Sequence, residues 1–172
     1  MRGYFKNKAM SNLESIKERI SNVNPSYIEL CSDFLILYSR FEYALKECGF
    51  LQTSTRVMAS IEKYVSSIKD KFKLESGSKL EVAINFIIES PPKVFQIRNE
   101  SLIWEEKKED GETLEVLPEY LRRVRNNLLH GGKFYGGIET GSRNLNLISN
   151  SIIIIEYWID LNEDVKSKFR EF

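Results

Sequence analysis

The sequence predicts a mainly α-helical domain carrying one small β-hairpin, and three observations predict it. Apolar residues recur at three- and four-residue spacing along most of the chain, which gathers them on one face of a helix. Three Ser-x-x-Glu boxes, beginning at Ser11, Ser26 and Ser78, stand before such stretches. In that arrangement the two side chains satisfy the free N–H groups of a helix start. One stretch, residues 94–105, instead sets β-branched and aromatic residues on both sides of a polar turn. A chain of 172 residues is long enough for one domain with its own core. With 42% hydrophobic and 29% charged residues it is globular in composition rather than disordered.

The elements follow in order. The first box opens a helix to about residue 21, and Asn24-Pro25 reads as a stop. The second box opens a long helix to about residue 48. Its Leu30, Phe34, Leu37, Phe41, Ala44 and Leu45 recur at helical spacing, and Gly49 closes it. A third helix is expected over residues 55–71, with Val57, Ile61, Tyr64, Val65 and Ile68 inward, broken by Ser76-Gly77. The third box opens a short helix to residue 89, and Pro91-Pro92 ends it. Two short strands then flank a turn at residues 98–101, where Asn-Glu is a poor hairpin pair. Residues 105–111 are charged and read as a loop. A fifth helix starts near Thr113, striped by Leu114, Leu117, Leu121, Val124 and Leu128. Pro118 raises the alternative of a start at about Leu117. Gly131-Gly132 ends this helix, and a Gly-rich loop runs to Gly141. A last helix over residues 143–169 carries Leu145, Ile148, Ile152, Ile155 and Ile159. Ile153, Ile154 and Trp158 widen that stripe and make the helix central to the core.

Charge and cysteines narrow the function. Lys plus Arg equals Asp plus Glu at 25 each, so a polyanion must be met by a local patch. Residues 119–143 hold such a patch: Arg122, Arg123, Arg125, Lys133 and Arg143 against Glu119 and Glu139. A solvated helix face with a basic last turn explains the same charges. Cys31 and Cys48 fall on one predicted helix, roughly 25 Å apart, too far for a disulfide. One histidine and two distant cysteines do not make a typical zinc site. Residues 1–10 are polar and charged, unlike a signal peptide. The longest apolar run, Ile152 to Ile155, is far too short to cross a bilayer. The expected location is cytoplasmic, with no membrane partner.

The chemistry-bearing run is Arg122-Arg123-Val124-Arg125-Asn126-Asn127-Leu128-Leu129-His130-Gly131-Gly132-Lys133, which holds the sole histidine. At ~100° per residue, Arg125 lies roughly 70° off the middle of the apolar stripe. Asn126 and His130 share a face, with Arg123 near them. A helix C-terminus favours an imidazolium, which could give a proton to a leaving oxygen. The plainer readings are His130 capping the last carbonyls, Arg125 in an ion pair, and an asparagine bonded to a neighbouring element. Glu42 and Lys46 form a surface pair four residues apart, or Glu42 faces the motif helix and pairs with Arg125. Trp104 and Trp158 read as core or interface anchors. Phe134 and Tyr135 read as loop anchors that could stack a base.

The run Arg125-Asn126-Asn127-Leu128-Leu129-His130-Gly131 resembles the Arg-x4–6-His signature of HEPN domains (higher eukaryotes and prokaryotes nucleotide-binding). A polar residue after the arginine, here Asn126, is typical of them. The stretch Ser39-Arg40-Phe41-Glu42-Tyr43-Ala44-Leu45-Lys46, Pro91-Pro92-Lys93 and the closing hydrophobic helix are similar too. The resemblance covers most of the chain and points to an uncharacterised bacterial branch with an insert before the motif helix. It implies one HEPN-like helical bundle over residues 1–172, the hairpin being the insert.

Active members are metal-independent endoribonucleases that need no cofactor and pair through their motif helices as symmetric homodimers. Carried over, Arg125 holds the scissile phosphate and stabilises transition-state charge. His130 is general base or acid as the ribose 2′-OH attacks phosphorus, and Asn126 orients the histidine or binds phosphate. Arg122, Arg123, Asn127 and Lys133 would contact RNA. The products would be a 2′,3′-cyclic phosphate and a 5′-OH, in toxin–antitoxin or phage defence, with an antitoxin protein as a further partner. Some members carry a tyrosine two residues after the histidine that a partner nucleotidyltransferase modifies. Here that position is Gly132 and the nearest tyrosine is Tyr135, which weakens that pairing. Other members are catalytically silent modules that bind RNA, nucleotide or a partner protein. The plainest alternative is a helical protein-interaction domain with an incidental motif.

Overall fold

A computed structural model of the chain describes residues 11, 13–15, 17–18, 25–53, 55, 57–129 and 142–171. Residues 13–15 are helical, and the first box closes on itself. The Ser11 N–H donates to Glu14 Oε2 at 2.8 Å and the Glu14 N–H to Ser11 Oγ at 3.2 Å.

Helix α1 spans Pro25–Glu47, so Pro25 starts a helix rather than stopping one. At the first helical position a proline lacks only an N–H that has no partner there. The second box therefore sits inside the first turn, not before it. Phe34, Tyr38, Phe41, Ala44 and Leu45 form the buried face. Gly49, at φ +81°, ends the helix as expected. The Phe50 N–H returns to the Leu45 carbonyl at 2.9 Å and the Gly49 N–H to Lys46 at 3.1 Å.

Helix α2 covers only Ile61–Ile68, followed by a 3-10 turn at Lys69–Lys71, a later start than the expected residue 55. The preceding loop folds back on itself. Leu51 and Ala59 form an antiparallel bridge, and the Ser60 N–H donates to the Phe50 carbonyl at 2.8 Å. Ser60 then caps α2 by accepting from the Lys63 N–H. Ile61, Tyr64, Val65 and Ile68 are buried as expected, but Val57 is 77% exposed. Helix α3, Lys79–Glu89, starts at the third box. Ser78 Oγ caps Glu81, while the Glu81 carboxylate takes the Gly77 N–H instead of that of Ser78.

Strands β1 (Val94–Arg98) and β2 (Ser101–Glu105) pair antiparallel, with Phe95 opposite Trp104 and Ile97 opposite Leu102. Asn99 and Glu100 both adopt positive φ, 49° and 61°, as a two-residue primed turn requires. Helix α4, Thr113–Leu129, runs through Pro118, so the later start does not occur. The proline removes one donor near the start of the helix. The turn before it is held from outside: the Glu112 carbonyl accepts from Glu115 and Val116, and Val116 and Leu117 are buried.

The expected last helix is two: α5, Ser142–Asp160, and α6, Glu163–Arg170. Asn162 causes the break, because its side chain accepts from the Asp164 and Val165 N–H groups and begins a new helix. Leu147, Ile148, Ser151, Ile154, Ile155, Trp158 and Ile159 are buried, whereas Leu145, Ile152 and Ile153 are only partly so. The broad stripe follows from α5 packing against both α1 and α3. At the centre Trp158 lies against Phe41, and Tyr64 meets Phe41 edge-on at 5.5 Å. The Tyr64 hydroxyl donates to the Trp158 carbonyl at 2.5 Å, tying α2 to α5. The fold is thus mainly α with one small antiparallel hairpin, as the sequence predicts. No helix among the described residues is long and apolar enough to cross a membrane.

Candidate active site on the motif helix

Helix α4 buries Leu117, Tyr120, Leu121, Val124 and Leu128, which fixes the directions left to its polar residues. Arg125 reaches α1. Its terminal nitrogen lies 3.0 Å from Glu42 Oε1, and its guanidinium carbon is 5.1 Å from the centre of the Tyr38 ring. Glu42 therefore pairs with the motif helix, 83 residues away in sequence, and not with Lys46. The Arg125 side chain is 26% exposed, and its Nε is buried without a partner among the described residues. Tyr38 is 2% exposed, and its hydroxyl, beside Arg125, has no acceptor among them. Burial first, then the Glu42 carboxylate, push the Tyr38 pKa up to about 12, with Arg125 opposing. The hydroxyl is thus a protonated donor at neutral pH.

These groups border a cavity of about 280 Å³. Tyr38, Glu42 and Lys46 line it from α1, four residues apart and hence on one face. Arg122 and Arg125 line it from α4, Glu62 from α2, and Gln52, Val57 and Met58 from the folded-back loop. Arg122 donates from Nε and a terminal nitrogen to Glu119, at 2.9 and 2.6 Å, and pairs with Glu62 at 3.0 Å.

Arg123 differs from the outward position expected beside Asn126. Its side chain is 6% exposed and spans Glu119, Glu109 and the Lys107 carbonyl, with its guanidinium over the Tyr120 ring. The reason is that residues 106–112 fold back along α4 and bring an acid to it. The hydrogen bonds from Arg123, then Lys107, hold the Glu109 carboxyl below its usual pKa. Asn127 is buried too, and its Nδ2 donates to the Lys93 carbonyl at 2.9 Å, joining α4 to the root of the hairpin. Asn126 is half-buried, with no side-chain hydrogen bond among the described residues. His130, Lys133, Phe134 and Tyr135 lie outside the described residues.

The structure thus brings Arg122 and Arg125 to one cavity and sends Arg123 and Asn127 elsewhere. Within α4 the positive charge counted along residues 119–143 is answered in space. Glu42, Glu62 and Glu109, all outside that stretch, answer Arg122, Arg123 and Arg125 together with Glu119, while Arg143 donates to the Pro91 carbonyl. Sequence reasoning missed Tyr38, which sits in the buried stripe of α1 and reads as core. It also missed the loop wall, because residues 55–60 read as helix. The spacing of Tyr38, Glu42 and Lys46 was the available signal. Among the described residues no group of three His, Cys, Asp or Glu side chains is placed to hold a metal ion. No protein-family model, no curated protein and no solved structure matches this chain.

Proposed function

We propose that the chain is a HEPN-type, metal-independent endoribonuclease, working in the cytoplasm as a homodimer through its motif helices, in toxin–antitoxin or phage defence. The observation that carries this reading is Arg125: a guanidinium bordering a cavity, fixed by Glu42 and Tyr38, with donors to spare. A guanidinium has five N–H groups, so one can stay on Glu42 while others meet phosphate. His130, one residue beyond the described end of α4, removes the ribose 2′ proton. The 2′ oxygen bonds to phosphorus, Arg125 stabilises the charge on the non-bridging oxygens, and the P–O5′ bond breaks. The 5′ oxygen leaves with a proton from an imidazolium, the two copies of His130 in the dimer serving as base and acid. Asn126 steadies the histidine or the phosphate, Arg122 and Lys133 add contacts, and an antitoxin protein is a further partner.

The test is cleavage of single-stranded RNA by the full chain in excess EDTA. Cyclic-phosphate ends are expected, and Arg125→Ala and His130→Ala should each lower the rate by about a hundredfold or more. Full activity in either variant sinks the reading. One observation favours a second: Glu42 already neutralises Arg125, which suits a catalytically silent module that binds RNA or a partner protein. Tight binding without cleavage would select it.

A further inference from the structure

We propose that the cavity beside Arg125 seats one unstacked base of a single-stranded RNA whose phosphate lies on Arg125. The proposal rests on the nuclease reading for the phosphate and adds a place for the base. Its starting point is two buried donors without acceptors among the described residues, the Tyr38 hydroxyl and Arg125 Nε, both on residues that border the cavity. Buried donors are seldom left open, and an incoming acceptor resolves both. The lining is also mixed. Arg122, Arg125 and Lys46 line the cavity together with Glu42 and Glu62, and Val57 and Met58 add apolar side chains. Val57 is 77% and Met58 49% exposed, and the Met58 carbonyl accepts from the Gln52 N–H beside the Leu51–Ala59 bridge. Apolar side chains beside guanidinium N–H donors suit a body that is flat and apolar on its faces and carries acceptors at one edge. A nucleotide is such a body, and a guanidinium plane stacks on any base. A volume of about 280 Å³ lies near the small end of ligand sites, room for one unit and not for a duplex.

The test is binding to the full chain, followed by fluorescence anisotropy. The probes are a labelled short single-stranded RNA, the same strand made abasic, and a free nucleoside monophosphate as competitor. The variant is Val57→Ser with Met58→Ser, two exposed positions outside the core and outside the proposed chemistry. It should weaken the intact strand by about tenfold, the loss of one stacked base, and leave the abasic strand unchanged. Tyr38→Phe, which keeps the ring beneath Arg125, should also weaken the intact strand. Equal affinity of the unaltered protein for both strands overturns the proposal, as does a double variant that binds like the parent. A mononucleotide that competes as well as the strand overturns the strand as occupant and assigns the site to a free nucleotide. Base-dependent binding without cleavage would sink the nuclease reading alone. Cleavage indifferent to the double variant would sink the base site alone.

Discussion

Arg123 and Arg125 stand two residues apart on α4 and, at about 200° of rotation, face different worlds. Arg123 is closed in: three nitrogens are placed on Glu119, Glu109 and the Lys107 carbonyl, and an aromatic ring lies beneath. Arg125 also has a carboxylate and a ring, but one nitrogen is unpartnered among the described residues and the side chain borders open space. The difference teaches that a run of arginines is not a functional unit. Each residue must be judged by what its charge meets, and those partners come from remote parts of the chain.

The largest expected effect falls on the closed side. Arg123→Ala leaves Glu119 and Glu109 without their shared cation and the Lys107 carbonyl without its donor, and should lower the melting temperature more than any other change here. A thermal melt by circular dichroism reads it, and a variant that melts like the parent would mean that Arg123 is free for substrate. Next comes alkaline pH. The folded Tyr38 pKa of about 12 stands above the ordinary value of about 10, so the unfolded chain loses this proton first. Stability from Tyr38 is full below about pH 10 and falls as pH rises to about 12. Tyr38→Phe should flatten that fall in urea titrations, and an unchanged slope would remove Tyr38 from the account. Asn127→Ala leaves the Lys93 carbonyl without its donor and should cost about 1–2 kcal/mol. Smallest is Arg125→Ala, where two partly exposed groups part: below about 1 kcal/mol in the same melt, while the proposed cleavage should fall sharply. A large drop in melting temperature for that variant would erase the contrast between the two arginines.

Local signals carried much of the fold. The boxes at Ser11 and Ser78, Gly49 and the strands around Asn99-Glu100 were legible because each depends on neighbours within a few residues. The misreadings were cases where a local rule met a competitor. Pro25 read as a stop, but it sits where its missing donor is harmless. The helix expected from about Thr113 does start there, and Pro118, which raised a later start, follows a turn anchored by Glu112 and buried apolar residues. Asn162 passed for a helix interior because the apolar spacing carries on past it, while its side chain has two N–H groups within reach. Val57 fitted the helical stripe, but the Leu51–Ala59 bridge claimed the loop. Around the cavity, the pairing of Glu42 with Arg125 was legible as one of two alternatives. The acids at Glu62 and Glu109 and the open hydroxyl of Tyr38 were not, since they depend on which helices end up adjacent.

Arg40, two residues before Glu42, grips the far end of the chain: its terminal nitrogen donates to the Lys168 and Phe169 carbonyls and to that of Glu171. The final helix is therefore a splint along the very stretch of α1 that steadies Arg125. A fusion tag or trimmed tail at that end would reach the motif through α1, by way of Glu42, without disturbing a single residue of the motif itself.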